Sequence, residues 1–232
     1  MIGHLSFSDW SYAPWALVIA LALALVDWLA VARRQKWLEY VFKPATLIAI
    51  LIGAWMLTRG PHDAWEARFF LPGLAFSLAG DVFLMLPGEC FFLPGLVAFL
   101  LGHICTIVGL NPTLPRWPAV AILVVVAVIG ATLYRSIASG LRRQGQAALR
   151  VPVALYSLVL SLMLSSAWAT LFRPEWTALR QGLVIAGASL FFASDAMLAW
   201  DRFVTPSSRL HLLVIVTYHL GQMGLAASIA LW

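Results

Sequence analysis

Phe76-Ser77-Leu78-Ala79-Gly80-Asp81-Val82-Phe83-Leu84-Met85 is an apolar run that carries one carboxylate. A second run, Phe191-Phe192-Ala193-Ser194-Asp195-Ala196-Met197-Leu198-Ala199, repeats the arrangement. Both sit inside longer continuous apolar stretches, without the strict alternation of a membrane β-barrel strand, so both read as membrane helix. A carboxylate at the centre of such a helix costs about 2.5–3.5 kcal/mol or more and is seldom kept without a task. Asp81 and Asp195 in matching settings therefore point to one site with paired carboxyl groups. Such a pair suits acid–base chemistry or ion movement.

Composition agrees. The chain has 232 residues, of which 62% are hydrophobic and 11% charged, with a mean hydropathy of +0.90. A soluble domain of this size needs far more polar surface. The expected class is all-α, a polytopic membrane bundle of about eight transmembrane helices. The net charge of +5 comes from bases clustered at the ends of apolar runs, such as Arg33-Arg34-Gln35-Lys36 and Arg142-Arg143. They orient a chain in an anionic membrane and form no basic soluble face, so nucleic acid is not an expected partner. Cys90 and Cys105 would stand ~22 Å apart on a helix, too far for a disulfide. The N-terminus lacks a basic leader region, and residues 14–32 are long enough to span, so no cleavable signal peptide is expected.

Hydropathy places spans at about 14–32, 38–57, 67–86, 91–110, 118–137, 149–171, 178–199 and 209–231. Each matches ~30 Å of hydrocarbon at ~1.5 Å per residue. Arg59-Gly60-Pro61, Pro87-Gly88, Asn111-Pro112, Arg173-Pro174 and Pro206 punctuate the breaks. No connection is long enough for a soluble domain, so residues 1–232 read as a single membrane domain. The odd-numbered connections carry Arg33, Arg34, Lys36, Arg135, Arg142, Arg143, Arg150, Arg202 and Arg209; the even-numbered ones carry Arg59, Arg68, Arg116, Arg173 and Arg180. That bias makes the odd side cytoplasmic. The aspartate phrases fall in spans three and seven, histidines follow in spans four and eight (His103, His219), and a proline begins spans two and six (Pro44, Pro152). The pattern fits two four-helix halves in parallel orientation.

Asp27, Lys43, Asp81 and Asp195 are the charges deepest within the spans, each ~6–8 Å below the cytoplasmic surface. Tyr156 lies slightly deeper, and His103 and Tyr218 near mid-membrane. The expectation is a layered polar pocket open to the cytoplasmic leaflet, in which each charge finds a partner. Gly73, Ser77 and Asp81 share a helix face, as do His211, Tyr218 and Gln222, while His219 points about 100° away from Tyr218. Plainer roles compete. Asp27 can be a structural ion-pair partner, Lys43 can snorkel, and His103 can be a polar packing residue. Most tryptophans mark interfaces, among them Trp10, Trp15, Trp117, Trp176, Trp200 and Trp232. No two histidines stand at i, i+4 and no Cys–His cluster exists, so neither metal nor other cofactor is expected.

These residues, in this order, resemble the lysoplasmalogenase family of multi-pass membrane proteins, known in bacteria as YhhN-like. The resemblance rests on Lys43-Pro44, the Phe76–Met85 phrase, Gly95-Leu96-Val97-Ala98-Phe99-Leu100-Leu101-Gly102-His103, Tyr156 with Met163, the Phe191–Ala199 phrase, and Tyr218 with Gln222. One position departs: Thr106 stands where the family often has a tyrosine, though a threonine can still hydrogen-bond. The resemblance implies hydrolysis of the vinyl ether bond of a lysoplasmalogen to a fatty aldehyde and glycerophosphoethanolamine or glycerophosphocholine. It implies a lysophospholipid substrate, a place in the bilayer of the bacterial inner membrane, and a catalytic pair at Asp81 and Asp195. Its other polar positions, Lys43, Ser77, His103, Tyr156, Ser194, Tyr218 and Gln222, become expected substrate-binding residues.

The chemistry suits two carboxyl groups in its own right. A vinyl ether is hydrolysed by slow protonation of its terminal alkene carbon, which leaves an oxocarbenium ion. Water adds, and the hemiacetal collapses. One carboxyl group must carry a proton and another must stay anionic; a low-dielectric site with two carboxyl groups favours that division. Glycosidase carboxyl pairs handle similar oxocarbenium-like states. Lys43 would keep one carboxylate ionised or bind the lipid phosphate, and Tyr156, Tyr218 and His103 would orient water or headgroup. The alternative from another class is a proton-coupled transporter built on the same intramembrane charges. Its Gly or Pro interruptions near mid-span are wanting, since the prolines lie mostly near span ends. An intramembrane aspartyl protease fits poorly, because Leu78-Ala79-Gly80-Asp81 lacks the first glycine of Gly-x-Gly-Asp. A purely structural role leaves the matched carboxylates unexplained.

Overall fold

The structure is a computed structural model that describes residues 13–58 and 65–231. Trp10, Trp232, the leader region and the Arg59-Gly60-Pro61 break lie outside the described residues. Among the described residues eight long helices form: α1 (Ala13–Ala32), α2 (Lys36–Leu57), α3 (Trp65–Met85), α4 (Phe92–Leu110), α5 (Ala119–Arg143), α6 (Arg150–Ala169), α7 (Ala178–Phe203) and α8 (Ser208–Ala227). All eight are long and apolar enough to cross a membrane. Among the described residues there are no strands. The chain is an integral membrane protein with a polytopic helical fold.

Two helices run further than hydropathy marks them. α5 continues to Arg143 and α7 to Phe203, because polar side chains at a membrane surface do not break a helix that neighbours support. Asp195 therefore stands eight residues, ~12 Å, from the end of its helix, against the four that hydropathy marks. Pro44 does not begin α2; it lies inside it, as Pro72 lies inside α3. Membrane helices tolerate such prolines where neighbouring helices and side chains satisfy the freed carbonyls. Pro152, the third residue of α6, sits in the first turn, where the missing N–H costs nothing.

Consecutive helices pack as four hairpins: α1 with α2, α3 with α4, α5 with α6 and α7 with α8. The hairpins join through α2 on α3, α4 on α6, α6 on α7, and α8 on both α1 and α2. α5 stays at the margin, with Val124, Val125 and Val128 exposed to the bilayer. The halves share a pattern, since α2 meets α8 as α6 meets α4.

Glycines set the closest approaches. A Cβ on Gly102 would lie 3.0 Å from the carbonyl oxygen of Gly73, and one on Gly73 would lie 3.3 Å from that of Gly102. At α7/α8 the distance is 2.9 Å in both directions between Gly187 and Gly221. Only hydrogen fits there, so the backbones touch, as small-residue interfaces in membranes allow. Each crossing falls eight residues before an aspartate: Gly73 before Asp81 and Gly187 before Asp195. The same contact thus fixes the position of each carboxyl group.

Candidate active site

The site has two nodes, each centred on one aspartate. Asp81, on α3, is 1% exposed. Its Oδ1 pairs with Lys43 Nζ at 2.9 Å, and its Oδ2 accepts the Tyr218 hydroxyl at 2.7 Å. Lys43 Nζ also lies 5.6 Å from the centre of the Tyr218 ring. Both carboxylate oxygens are engaged, and a buried ion pair with further hydrogen bonds is the arrangement in which such a charge is tolerated.

Asp195, on α7, has different company. Its Oδ2 accepts the Tyr156 hydroxyl and lies 3.4 Å from His103 Nε2. His103 Nε2 and the Tyr156 hydroxyl are 3.0 Å apart, which closes the triangle. No cation comparable to Lys43 binds this carboxyl group, and no protein group among the described residues engages Oδ1. Asp195 therefore has an oxygen in reserve.

Phe191 joins the nodes. Its ring centre lies 4.9 Å from that of His103 and 5.4 Å from that of Tyr218, edge-on to both. No more than about 10 Å therefore separates the His103 and Tyr218 rings, within the span of one bound lipid. Phe99 completes the aromatic wall against Phe191 and Tyr218.

Beside the second node lies an apolar cleft between α3, α4, α5, α6 and α7, open at its mouth. Asp195 and Tyr156 line it with Leu84, Leu96, Phe99 and Leu160, among others. A greasy cleft with a few convergent polar groups is the usual form of a small-molecule site. Of the nine expected site residues, these two line the cleft, while Lys43, Asp81 and Tyr218 form the adjoining ion-pair node and His103 braces Asp195.

Gln222 hydrogen-bonds Tyr218 of the first node, whereas the two serines serve elsewhere. Ser77 Oγ donates to the Gly73 carbonyl, and Ser194 Oγ donates to the Val214 carbonyl on α8. The Ser77 hydroxyl thus bonds its own helix, and the Ser194 hydroxyl ties α7 to α8. Ser77 and Gln222 also line a small separate hollow with Thr106, whose hydroxyl donates to the Gly102 carbonyl. Thr106 thus bonds its own helix.

Other polar placements differ from expectation. Asp27 is fully buried, yet neither carboxylate oxygen has a hydrogen-bond partner among the described residues. The charges therefore do not all find partners. His219 does point away from the site, accepting from Trp28 Nε1 at 3.2 Å. Trp176, between α6 and α7, is buried under the Arg180 guanidinium at 3.4 Å. Arg180 in turn pairs with Glu66 at 2.8 Å inside the bundle, near the opposite end from Asp81. Sequence reasoning missed this pair because each member lies within three residues of a helix start, where charges usually reach water. It also assigned Arg202 a topogenic role alone, although that side chain lines the cleft. The seven-residue spacing from Asp195, two turns on one helix face, was the available signal. Both cysteines are free. Among the described residues no cluster of His, Cys, Asp and Glu could hold a metal ion.

Among the described residues, eight apolar helices around two acid-centred polar nodes, with an apolar cleft at one of them, define a polytopic membrane protein with a candidate intramembrane site. The chain belongs to the YhhN family, whose sequence profile matches residues 38–229. It is similar to mouse "Lysoplasmalogenase TMEM86B", 29% identical over 213 residues that cover 91% of this chain and 83% of the relative. It is 30% identical over 184 residues to "Uncharacterized membrane protein YhhN" of Escherichia coli O157:H7, covering 75% and 80%. It is 33% identical over 144 residues to "Lysoplasmalogenase" of Mycobacterium tuberculosis, covering 60% and 51%. No solved structure matches the chain.

Proposed function

We propose that this protein is a membrane hydrolase that cleaves the vinyl ether bond of a lysoplasmalogen, with Asp195 as the proton donor. The relatives named lysoplasmalogenase support the reaction class. The observation that carries the assignment within the site is the unequal company of the two aspartates. Asp81 is charge-paired with Lys43 and bonded on both oxygens. Asp195 is held on one oxygen, by a phenol and an imidazole, and lines the cleft.

The substrate chain lies in the cleft with its alkene carbon at Asp195. The carboxyl proton moves to the alkene carbon that bears the alkyl chain, and the ether oxygen takes up the positive charge as an oxocarbenium ion. The Asp195 carboxylate and the fixed negative charge of Asp81 stabilise that cation. Water adds to the carbon next to oxygen and returns its proton to Asp195. The hemiacetal then breaks its carbon–oxygen bond to release aldehyde and the glycerol hydroxyl. One water is consumed and the acid is regenerated. Tyr156 and His103 orient the carboxyl group, and Phe191 and Phe99 keep the site poor in stray water.

The test is aldehyde release from a synthetic lysoplasmalogen by purified protein, beside an ester-linked lysolipid. The wild type releases aldehyde from the first alone. Asp195→Asn abolishes release and Asp81→Asn lowers it by orders of magnitude, with both variants folded. Near-normal cleavage by either variant would overturn the paired-aspartate reading.

A further inference from the structure

The cleft beside Asp195 has a single basic wall residue among those described, Arg202. We infer that Arg202 anchors the phosphate of a single-chain phospholipid whose tail fills the cleft, an assignment that rests on the lysolipid-hydrolase reading.

Spacing is the first ground. Asp195 and Arg202 are seven residues apart on α7, two turns on one face and ~10.5 Å along the axis. In a lysoplasmalogen seven bonds join the alkene carbon that takes the proton to phosphorus, ~8–9 Å in an extended chain. The guanidinium, on a long side chain, covers the difference. A lipid with its alkene at Asp195 thus brings its phosphate to Arg202.

Presentation is the second. Arg202 is 34% exposed, at the basic end of the bundle where Arg142, Arg143 and Arg150 also lie. Its guanidinium rests over the Phe92 ring at 4.2 Å and near that of Phe203 at 5.7 Å. An aromatic platform orients the planar fork that bonds phosphate through two N–H groups. The Gln144 amide holds the Arg202 carbonyl at 3.2 Å and steadies the helix end.

Glu89 is the third. Its Oε2 accepts from Arg202 at 2.6 Å, and its side chain is 76% exposed. An arriving phosphate replaces this carboxylate, which swings into water, so Arg202 passes from one anion to another without being stranded. Lys43 suits the task less well, being 12% exposed and already paired with Asp81.

The experiment measures binding in maltoside micelles, which carry no phosphate. The probes are a non-hydrolysable 1-O-alkyl lysophospholipid, the matching 1-O-alkylglycerol, and free glycerophosphocholine. Wild type is expected to bind the phospholipid at least tenfold more tightly than the alkylglycerol, with free glycerophosphocholine a poor competitor. Arg202→Gln removes that preference while alkylglycerol binding stays; Arg202→Lys keeps part of it. Glu89→Gln binds the phospholipid at least as tightly as wild type, which guards against an effect of folding alone. An undiminished preference in Arg202→Gln overturns the assignment. Free glycerophosphocholine competing as well as the lysolipid overturns its lipid part. Wild type that binds the phospholipid with this preference yet releases no aldehyde from lysoplasmalogen overturns the hydrolase reading and leaves the phosphate site standing.

Discussion

The Tyr218 hydroxyl, on α8, donates to Asp81 Oδ2 on α3 across 137 positions of chain. The opposite exchange occurs at the second node, where His103 on α4 reaches Asp195 on α7. Each aspartate also takes a partner from the helix before its own, Lys43 for Asp81 and Tyr156 for Asp195, 38 and 39 positions earlier. The two halves of the chain thus complete each other's node, and neither half holds a complete site.

Tyr156→Phe tests the hold on the proposed acid. A hydrogen bond to a charged or acidic group contributes about 1.5–3 kcal/mol, so turnover should fall about tenfold to a hundredfold. Thermal stability changes little by comparison, because the ring still packs against His103. Aldehyde release and a melting curve on the same preparation check this.

Lys43→Gln leaves the buried Asp81 carboxylate without its cation. Breaking such a pair from one side costs about 3–5 kcal/mol, seen as a clear drop in melting temperature. Replacing both members, as in Lys43→Met with Asp81→Leu, should restore much of the stability and none of the activity.

Glu66→Gln removes the charge from one side of the buried Glu66–Arg180 pair and should lower stability measurably. Glu66 precedes Asp81 by fifteen residues on α3, ~22 Å along the helix. Turnover per folded molecule should therefore stay near wild type. A large fall in kcat at unchanged stability would contradict the separation of the two ion pairs.

Gly187→Ala or Gly221→Ala places a methyl group 2.9 Å from backbone atoms of the facing helix, which no rotamer change relieves. α7 and α8 must part, with a marked loss of stability and of activity together. Gly182→Ala is the control: nothing lies within 4 Å of its Cβ position, and helix propensity alone should leave stability unchanged or raise it by up to about 1 kcal/mol.

Asp27→Asn replaces a buried carboxylate that lacks a hydrogen-bond partner among the described residues. An uncompensated buried polar group costs about 1–3 kcal/mol, and more when charged. The variant should match or exceed the wild type in melting temperature. A substantial drop would reveal a stabilising role for the charge.

The spans were legible in the linear chain, because bilayer thickness imposes a length of apolar helix, and Asp81 and Asp195 drew notice there because a carboxylate stands out against an apolar run. The matching phrases around the aspartates, and the glycines eight residues before them, were equally on view. Partnership was not. Hydropathy is a property of each segment, whereas the bond from Tyr218 to Asp81 depends on how α8 rotates against α2 and α3. For the same reason Ser77 and Ser194 read as site residues but spend their hydroxyls on helix backbones, and Arg202 read as a surface charge but lines the cleft. Only packing separates the two aspartates into a charge-paired anion and a carboxyl group with one oxygen free, because that difference lies in neighbours drawn from distant helices.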